Sequence, residues 1–167
     1  MRIIDQGVSI NRYSVTPRTL IFIFDQAGKV LLLKGQKHKR IWSEKWNGLG
    51  GHIEQGEDVY SSARRELLEE SGLNSVDLNL CGIVSINTQK SPGILLFIFK
   101  SIFYNEPIRD SSEGKLSWFS LDELAHIPCV EDLEILIPRV LSINKGDPIF
   151  YAISEPNQSG ELKIRFN

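Results

Sequence analysis

At 167 residues and 18.9 kDa, the chain has the size of one compact domain, typically about 100 to 150 residues, and residues 1–167 are read as a single domain. It is 41% hydrophobic and 24% charged and lacks both a signal-peptide apolar region and a run near the roughly 18 apolar residues that span a bilayer; a soluble, cytoplasmic protein with no membrane partner is expected. The net charge of −2 provides no broad basic field for gripping long nucleic acid by its phosphates.

Residues 19–24 are apolar and β-rich, Asp25 to Gly28 carry turn chemistry, and residues 30–33 form a second apolar run, so a hairpin is predicted. Lys34, Lys37, His38, Lys39 and Arg40 follow as a basic cluster. Most of it reads as a solvated loop, with one or two cations left open to a polyphosphate. Trp46, Asn47, Gly48, Leu49, Gly50 and Gly51 make a glycine-rich connection, and such glycines signal close backbone approach. The stretch 57–71 is free of Gly and Pro, with Asp58 as a plausible N-cap and Gly72 as a C-cap, so it is predicted helical. Tyr60, Ala63 and Leu67 are expected on its buried face.

Further strands are expected over 80–86, 94–104 and 116–119. Ser120 and Glu123 form a capping box opening a short helix to Ala125, and 131–142 reads as a last helix containing Pro138. A closing hairpin joins 150–153 to 162–166 across Asn157 to Gly160. The first 15 residues are left as either an added edge strand or a dimer contact, so both monomer and homodimer stay open. Cys81 and Cys129 have no CxxC partner and read as small buried hydrophobes, while His38 and His52 lack partners at metal-ligand spacing. The predicted class is α/β, with helices covering a mixed or antiparallel sheet.

The chemistry concentrates in the helix. Glu66, Glu69 and Glu70 fall on one helical stripe at about 100° per residue. Like charges at i,i+4 cost about 0.2 to 0.5 kcal/mol per pair, a repulsion that a bound cation relieves. Two readings stay open from the acids alone: a solvated acidic face, or a site for a hard divalent ion. The oxygen donors favour magnesium over zinc.

Gly51, Glu57, Arg65, Glu66, Leu67, Glu69, Glu70, Gly72 and Leu73 stand at the spacing of the Nudix box, and the chain resembles that family over roughly residues 19–141. The resemblance implies a Nudix fold, an α/β/α sandwich with a mixed β-sheet. It implies that Glu66, Glu69 and Glu70 bind Mg2+, with Mn2+ as a substitute, and that the Gly50 carbonyl and Glu113 are further ligands. It also implies that Arg65 holds Glu57 in a supporting ion pair, placing both with the three glutamates as catalytic positions.

The lead-in Trp46 to Gly51 resembles that of the MutT-like enzymes acting on oxidised purine triphosphates such as 8-oxo-dGTP. On that likeness Asn47 meets the purine edge, and Gly51, Glu131 and Asp132 join it as substrate-binding positions. The chain departs from the subgroup at Pro128, Cys129, Val130, where a stacking tryptophan is usual. The expected reaction is hydrolysis of a nucleoside triphosphate to monophosphate and pyrophosphate. Nucleotide sugars, dinucleoside polyphosphates and capped RNA remain alternative substrates, and a non-catalytic ligand-binding module is the alternative from another class.

Overall fold

Strand β1 (Val15–Phe24) organises the molecule because its apolar side chains are buried on both faces. The computed structural model describes residues 12–36 and 43–167, so Lys37, His38, Lys39, Arg40 and the first eleven residues of the sequence reading lie outside the described residues. Leu20, Phe22 and Phe24 enter one apolar cluster; Ile21 and Ile23 enter another on the opposite face. Burying each such side chain stabilises the fold by about 1.5 to 3 kcal/mol, and alternation along one strand therefore commits the sheet to cover on both sides.

The cover comes from three helices. On the Ile21 face lies α1 (Val59–Ser71), which contributes Ala63 and Leu67. On the Phe22 face lie α2 (Leu121–Leu124) and α3 (Leu133–Leu141), which contribute Leu124, Leu133, Leu136, Ile137 and Val140. The result is an α/β/α sandwich. Both caps of α1 are local: the Asp58 carboxylate accepts the Tyr60 and Ser61 amides at 2.9 Å, and Gly72 closes the helix at φ +77°. Ser120 and Glu123 form the capping box that opens α2.

Between the helices run β2 (Val30–Gly35), β3 (Trp46–Asn47), β4 (Asn79–Ile86), β5 (Gly93–Ile102), β6 (Gly114–Phe119), β7 (Phe150–Pro156) and β8 (Leu162–Phe166). The sheet is mixed and runs β3-β2-β1-β5-β4-β7-β8, with β6 on β2. β1 pairs parallel with β5, and β4 parallel with β7; the remaining strand pairs are antiparallel.

The site is positioned by a split in this sheet. β1 and β2 pair only at Ile23 with Leu31 and Phe24 with Val30. Beyond that point segment 46–52 fills the gap, with Asn47 on Leu33 of β2, then Leu49 on Ile21 and His52 on Arg18 of β1. A side chain at Gly48 would meet the ends of Leu20 and Phe22 within 2.9 Å, so the wedge lies tight against β1 at this glycine.

One detail of the helix reading is corrected. Tyr60 is 47% exposed, and the buried stripe runs through Ser62, Ala63, Leu67, Glu70 and Ser71. Tyr60 lies in the first turn and reaches the sheet only by an edge contact with Phe99, ring centroids 6.4 Å apart.

Candidate active site

Gly50 has φ +125°, and a side chain there would stand 2.4 Å from the Thr19 carbonyl oxygen. The position demands glycine on conformation and on space. The β1 amides of Ile21 and Thr19 take the carbonyls of Leu49 and Gly51 at 2.7 and 2.9 Å and skip that of Gly50. The Gly50 amide instead donates to Glu70 Oε2 at 2.7 Å, and Glu70 is 5% exposed. A buried carboxylate of α1 thus meets the glycine loop across the edge of the split. Glu66 does the same one turn earlier: a methyl group on Gly51 would stand 2.5 Å from its Oε1.

Arg65 gathers the acids. Its Nε and Nη2 donate to Glu57 Oε1 and Oε2 at 2.7 and 2.9 Å, a two-pronged pair that matches the planar guanidinium. Its Nη1 donates to Glu66 Oε1 at 2.9 Å and to Glu69 Oε2 at 3.2 Å, and Nη2 also reaches the His52 carbonyl. Arg65 holds the Glu57 carboxyl down to about 2, helped by the Glu54 amide, and Glu57 in turn raises the Arg65 guanidinium. The neighbouring Arg64 points elsewhere, to the carbonyls of Asn74 and Val76.

The donors fit a hard cation by their chemistry, being carboxylates with a spare backbone carbonyl. In their present hydrogen bonds they are spread rather than gathered: among the described residues no three acidic, His or Cys side chains converge at metal-ligand distance. Glu113 lies half-buried in the Ser111–Gly114 turn that opens β6, its amide donating to Ser111 Oγ at 3.1 Å. Exposed His52 contributes its backbone carbonyl to this layer, where Arg65 and Ser62 donate to it.

On the opposite face, a cavity of about 250 Å³ opens beside Gly50. Ligand sites for drug-sized molecules span about 300 to 1,000 Å³, so this one suits a single ring system. Asn47, Glu131 and Asp132 all line it, the last two from the start of α3. Asn47 Oδ1 accepts the Gly48 amide at 2.9 Å, which leaves its amino group as the donor end of the side chain. Asp132 is buried and accepts from Ser154 Oγ at 3.3 Å; burial raises its carboxyl pKa, the Ser154 hydrogen bond opposes that, and Glu131 adds to it. Glu131 is exposed and paired with Lys45 at 3.6 Å. Among the described residues lining the cavity none is aromatic.

Two contributors escaped the sequence reading. Ser154 comes from β7, 22 residues after Asp132. Arg18 of β1 lines the cavity, and its guanidinium also feels Glu66 on the helix side. A larger cavity, about 790 Å³, opens near Asn79, Lys100, Tyr104 and Asp147. It has neither the helix acids nor the glycine loop, and the Lys100 ammonium there donates to the carbonyls of Leu141 and Ile143.

Known proteins resemble this chain in sequence and in fold. The NUDIX domain model matches residues 15–140. The oxidized purine nucleoside triphosphate hydrolase of Mus musculus is 33% identical over 128 residues, covering 76% of this chain and 80% of its own length. Its counterpart in Danio rerio is 36% identical over 107 residues, covering 64% of this chain and 67% of its own. The MutT protein of Bacillus halodurans superposes with a TM-score of 0.73 at 26% identity, covering 92% of this chain and 98% of that one. The NUDIX domain of Shewanella oneidensis NrtR, solved with ADP ribose, shares the fold at a TM-score of 0.67 and 15% identity, over 81% of this chain and 92% of that domain. Among the described residues no helix is long and apolar enough to cross a membrane.

Proposed function

Because the chain belongs to the Nudix hydrolases, we propose that it hydrolyses a purine nucleoside triphosphate, oxidised purines such as 8-oxo-dGTP included, to the monophosphate and pyrophosphate with magnesium. The observation that carries this reading is the sharing of one glycine loop by two sites. Gly50 receives Glu70 of the carboxylate helix on one side and borders the base-sized cavity on the other. A substrate with its base in the cavity therefore directs its phosphates toward the acids.

Glu66, Glu69 and Glu70 would hold magnesium, with the Gly50 carbonyl and Glu113 as further donors and manganese as a substitute. When bound, the metal supplies charge neutralisation for the diphosphate and a lowered pKa for an attacking water. The chain's own groups do the rest. Arg65, anchored on Glu57, fixes the starting orientation of Glu66 and Glu69. A carboxylate oxygen of this set takes the water's proton, and the buried position of Glu70 keeps bulk water from competing at that oxygen. At the other end, the Asn47 amino group donates to the purine edge and the Asp132 carboxyl meets its N–H groups, with Gly51 backing the phosphates.

The polar side chains that line the cavity, Asn47 and Asp132, support recognition of the base by hydrogen bonds at its edge. Kinetics of pyrophosphate release across dGTP, 8-oxo-dGTP, dATP and 2-hydroxy-dATP test the reading. An oxidised purine at the top of the kcat/KM ranking supports it; turnover confined to nucleotide sugars or dinucleoside polyphosphates contradicts it.

A further inference from the structure

Strand register lays out the floor of the base cavity. On the α3 side of the sheet, Arg18 of β1 stands beside Leu96 of β5. In the next row Ile94 of β5 stands beside Ile86 of β4, and Ile86 beside Ser154 of β7. One row further, Pro156 of β7 stands beside Leu162 of β8. The cavity takes Arg18, Leu96, Ile94, Ile86 and Leu162 from these successive rows, so it runs obliquely across the sheet from β1 to β8. The loop that carries Gly50 is hydrogen-bonded to β1, which puts Gly50 at one end of the cavity and Leu162 at the other.

Alternation along β8 fixes the face of Leu162. Ile164 and Phe166 pack into the cluster that α3 covers, while Lys163 and Arg165 are exposed on the other side. Leu162 shares the parity of Ile164 and Phe166, so its half-buried side chain lies under α3. Thr88, two residues past Ile86, also lines the cavity, and its hydroxyl is engaged by the carbonyls of Lys90 and Pro92 at 3.0 and 3.1 Å. Ser154 ties this end together: its carbonyl accepts the Asn87 amide at 2.9 Å, and its hydroxyl donates to Asp132. Beyond Asp132, Leu162 therefore meets a ligand with hydrocarbon.

We infer that Leu162 is a specificity-determining residue that closes the cavity beyond Asp132 and limits the size of the base. The inference rests on the reading of the cavity as the purine site. With the phosphates directed toward Gly50, the six-membered ring of a purine, remote from the ribose bond, faces the β8 end. Ser154 brings Asp132 to the row before Leu162, so a ring edge that reaches Asp132 has the leucine side chain as its next neighbour. A carbon wall at that place accepts a flat edge and rejects a bulky substituent on it.

The test compares kcat/KM for dATP and dGTP with that for N6-benzyl-dATP and N2-benzyl-dGTP, which carry bulk at the two exocyclic corners of that ring. Wild type, Leu162→Ala, Leu162→Trp and Ile164→Ala are assayed, the last removing an apolar side chain of the same strand that does not line the cavity. Steric discrimination of this kind predicts that Leu162→Ala raises the benzylated-to-parent ratio at least about 10-fold for one of the two bases, while Ile164→Ala leaves it within about 2-fold of wild type. Leu162→Trp is expected to raise KM for the parent purines at least about 10-fold with kcat little changed, and it serves as the test if the alanine variant does not fold by circular dichroism. An unchanged ratio in Leu162→Ala, or an equal rise in Ile164→Ala, would overturn the inference while leaving the cavity reading intact. Failure of the wild type to turn over any purine triphosphate overturns both.

Discussion

The buried Glu70 carboxylate accepts the Gly50 amide proton at 2.7 Å and so couples helix α1 to the glycine loop across 20 residues of sequence. The two glycines of that loop face different obstacles. An alanine at Gly50 meets the Thr19 backbone carbonyl at 2.4 Å with φ +125°, while one at Gly51 meets the tip of the Glu66 side chain. Gly50→Ala is expected to lose about 2 to 4 kcal/mol in urea unfolding, since strain and a backbone collision add. Gly51→Ala is expected to stay within about 1 kcal/mol of wild type yet lose turnover at least about 10-fold, because Glu66 rotates out of its place. Equal stability losses in the two variants would contradict this division.

Glu57 supplies a pH signature. Its carboxyl titrates near 4.5 when unfolded and near about 2 when folded, chiefly through the Arg65 hydrogen bonds. A depressed carboxylate stabilises the fold fully above its unfolded pKa and loses that contribution as pH falls through the folded one. The stability gap between wild type and Glu57→Gln is therefore constant above about pH 4.5 and closes as pH approaches about 2. Urea titrations at neutral pH, 4.5 and 2.5 measure it. A gap that persists at the acid end would show that Glu57 acts by packing.

Arg65 touches three carboxylates with one planar group. Arg65→Lys keeps the charge but reaches one of them well, so Glu66 and Glu69 lose their common reference. Supporting hydrogen bonds of this kind are worth about 10- to 100-fold in activity. The loss is expected in kcat with KM changed by less than about 3-fold, as befits a residue that does not touch the base. Steady-state kinetics on 8-oxo-dGTP separate the two.

In the proposed function Asp132 trades stability for recognition. Its carboxyl pKa is raised by burial, so the folded protein binds that proton more tightly than the unfolded chain does. The contribution is favourable at low pH and is lost as pH rises through the folded pKa. At pH 7 the charged group is a burden that Asn removes at nearly the same shape. Asp132→Asn is expected to melt above wild type at pH 7, with the advantage fading in acid, and to bind the purine monophosphate about 10-fold or more weakly. A lowered melting temperature would place the value of Asp132 in its Ser154 hydrogen bond instead.

Features settled within a few residues were legible in the sequence. Asp58 and Gly72 cap α1 where propensity puts them, Ser120 and Glu123 form their box, and the alternation of residues 162–166 sets the edge strand β8. The stripe of Glu66, Glu69 and Glu70 follows from helical periodicity alone. What depended on pairing was hidden. β3 is two residues long and exists because the split between β1 and β2 needs filling, so no strand-length pattern announces it. Tyr60 fits the helical period of a buried face yet lies beyond the part of α1 that the sheet covers. Arg18 precedes the box by more than thirty residues and is brought beside it by the backbone bridge to His52. Asp132 resembled an ordinary acid at a helix start until β7 brought Ser154 against it.

The most direct test of the central claim is pyrophosphate release from 8-oxo-dGTP by wild type and Glu70→Gln, each with magnesium and with EDTA. The glutamine preserves an acceptor for the Gly50 amide, so the fold is retained, while the loss of a metal-holding and proton-accepting oxygen is expected to lower kcat by at least about 100-fold. The account predicts release by the wild type with magnesium only, and near-background release by Glu70→Gln under both conditions. Undiminished release by a folded Glu70→Gln protein, or release by the wild type in EDTA, would contradict it.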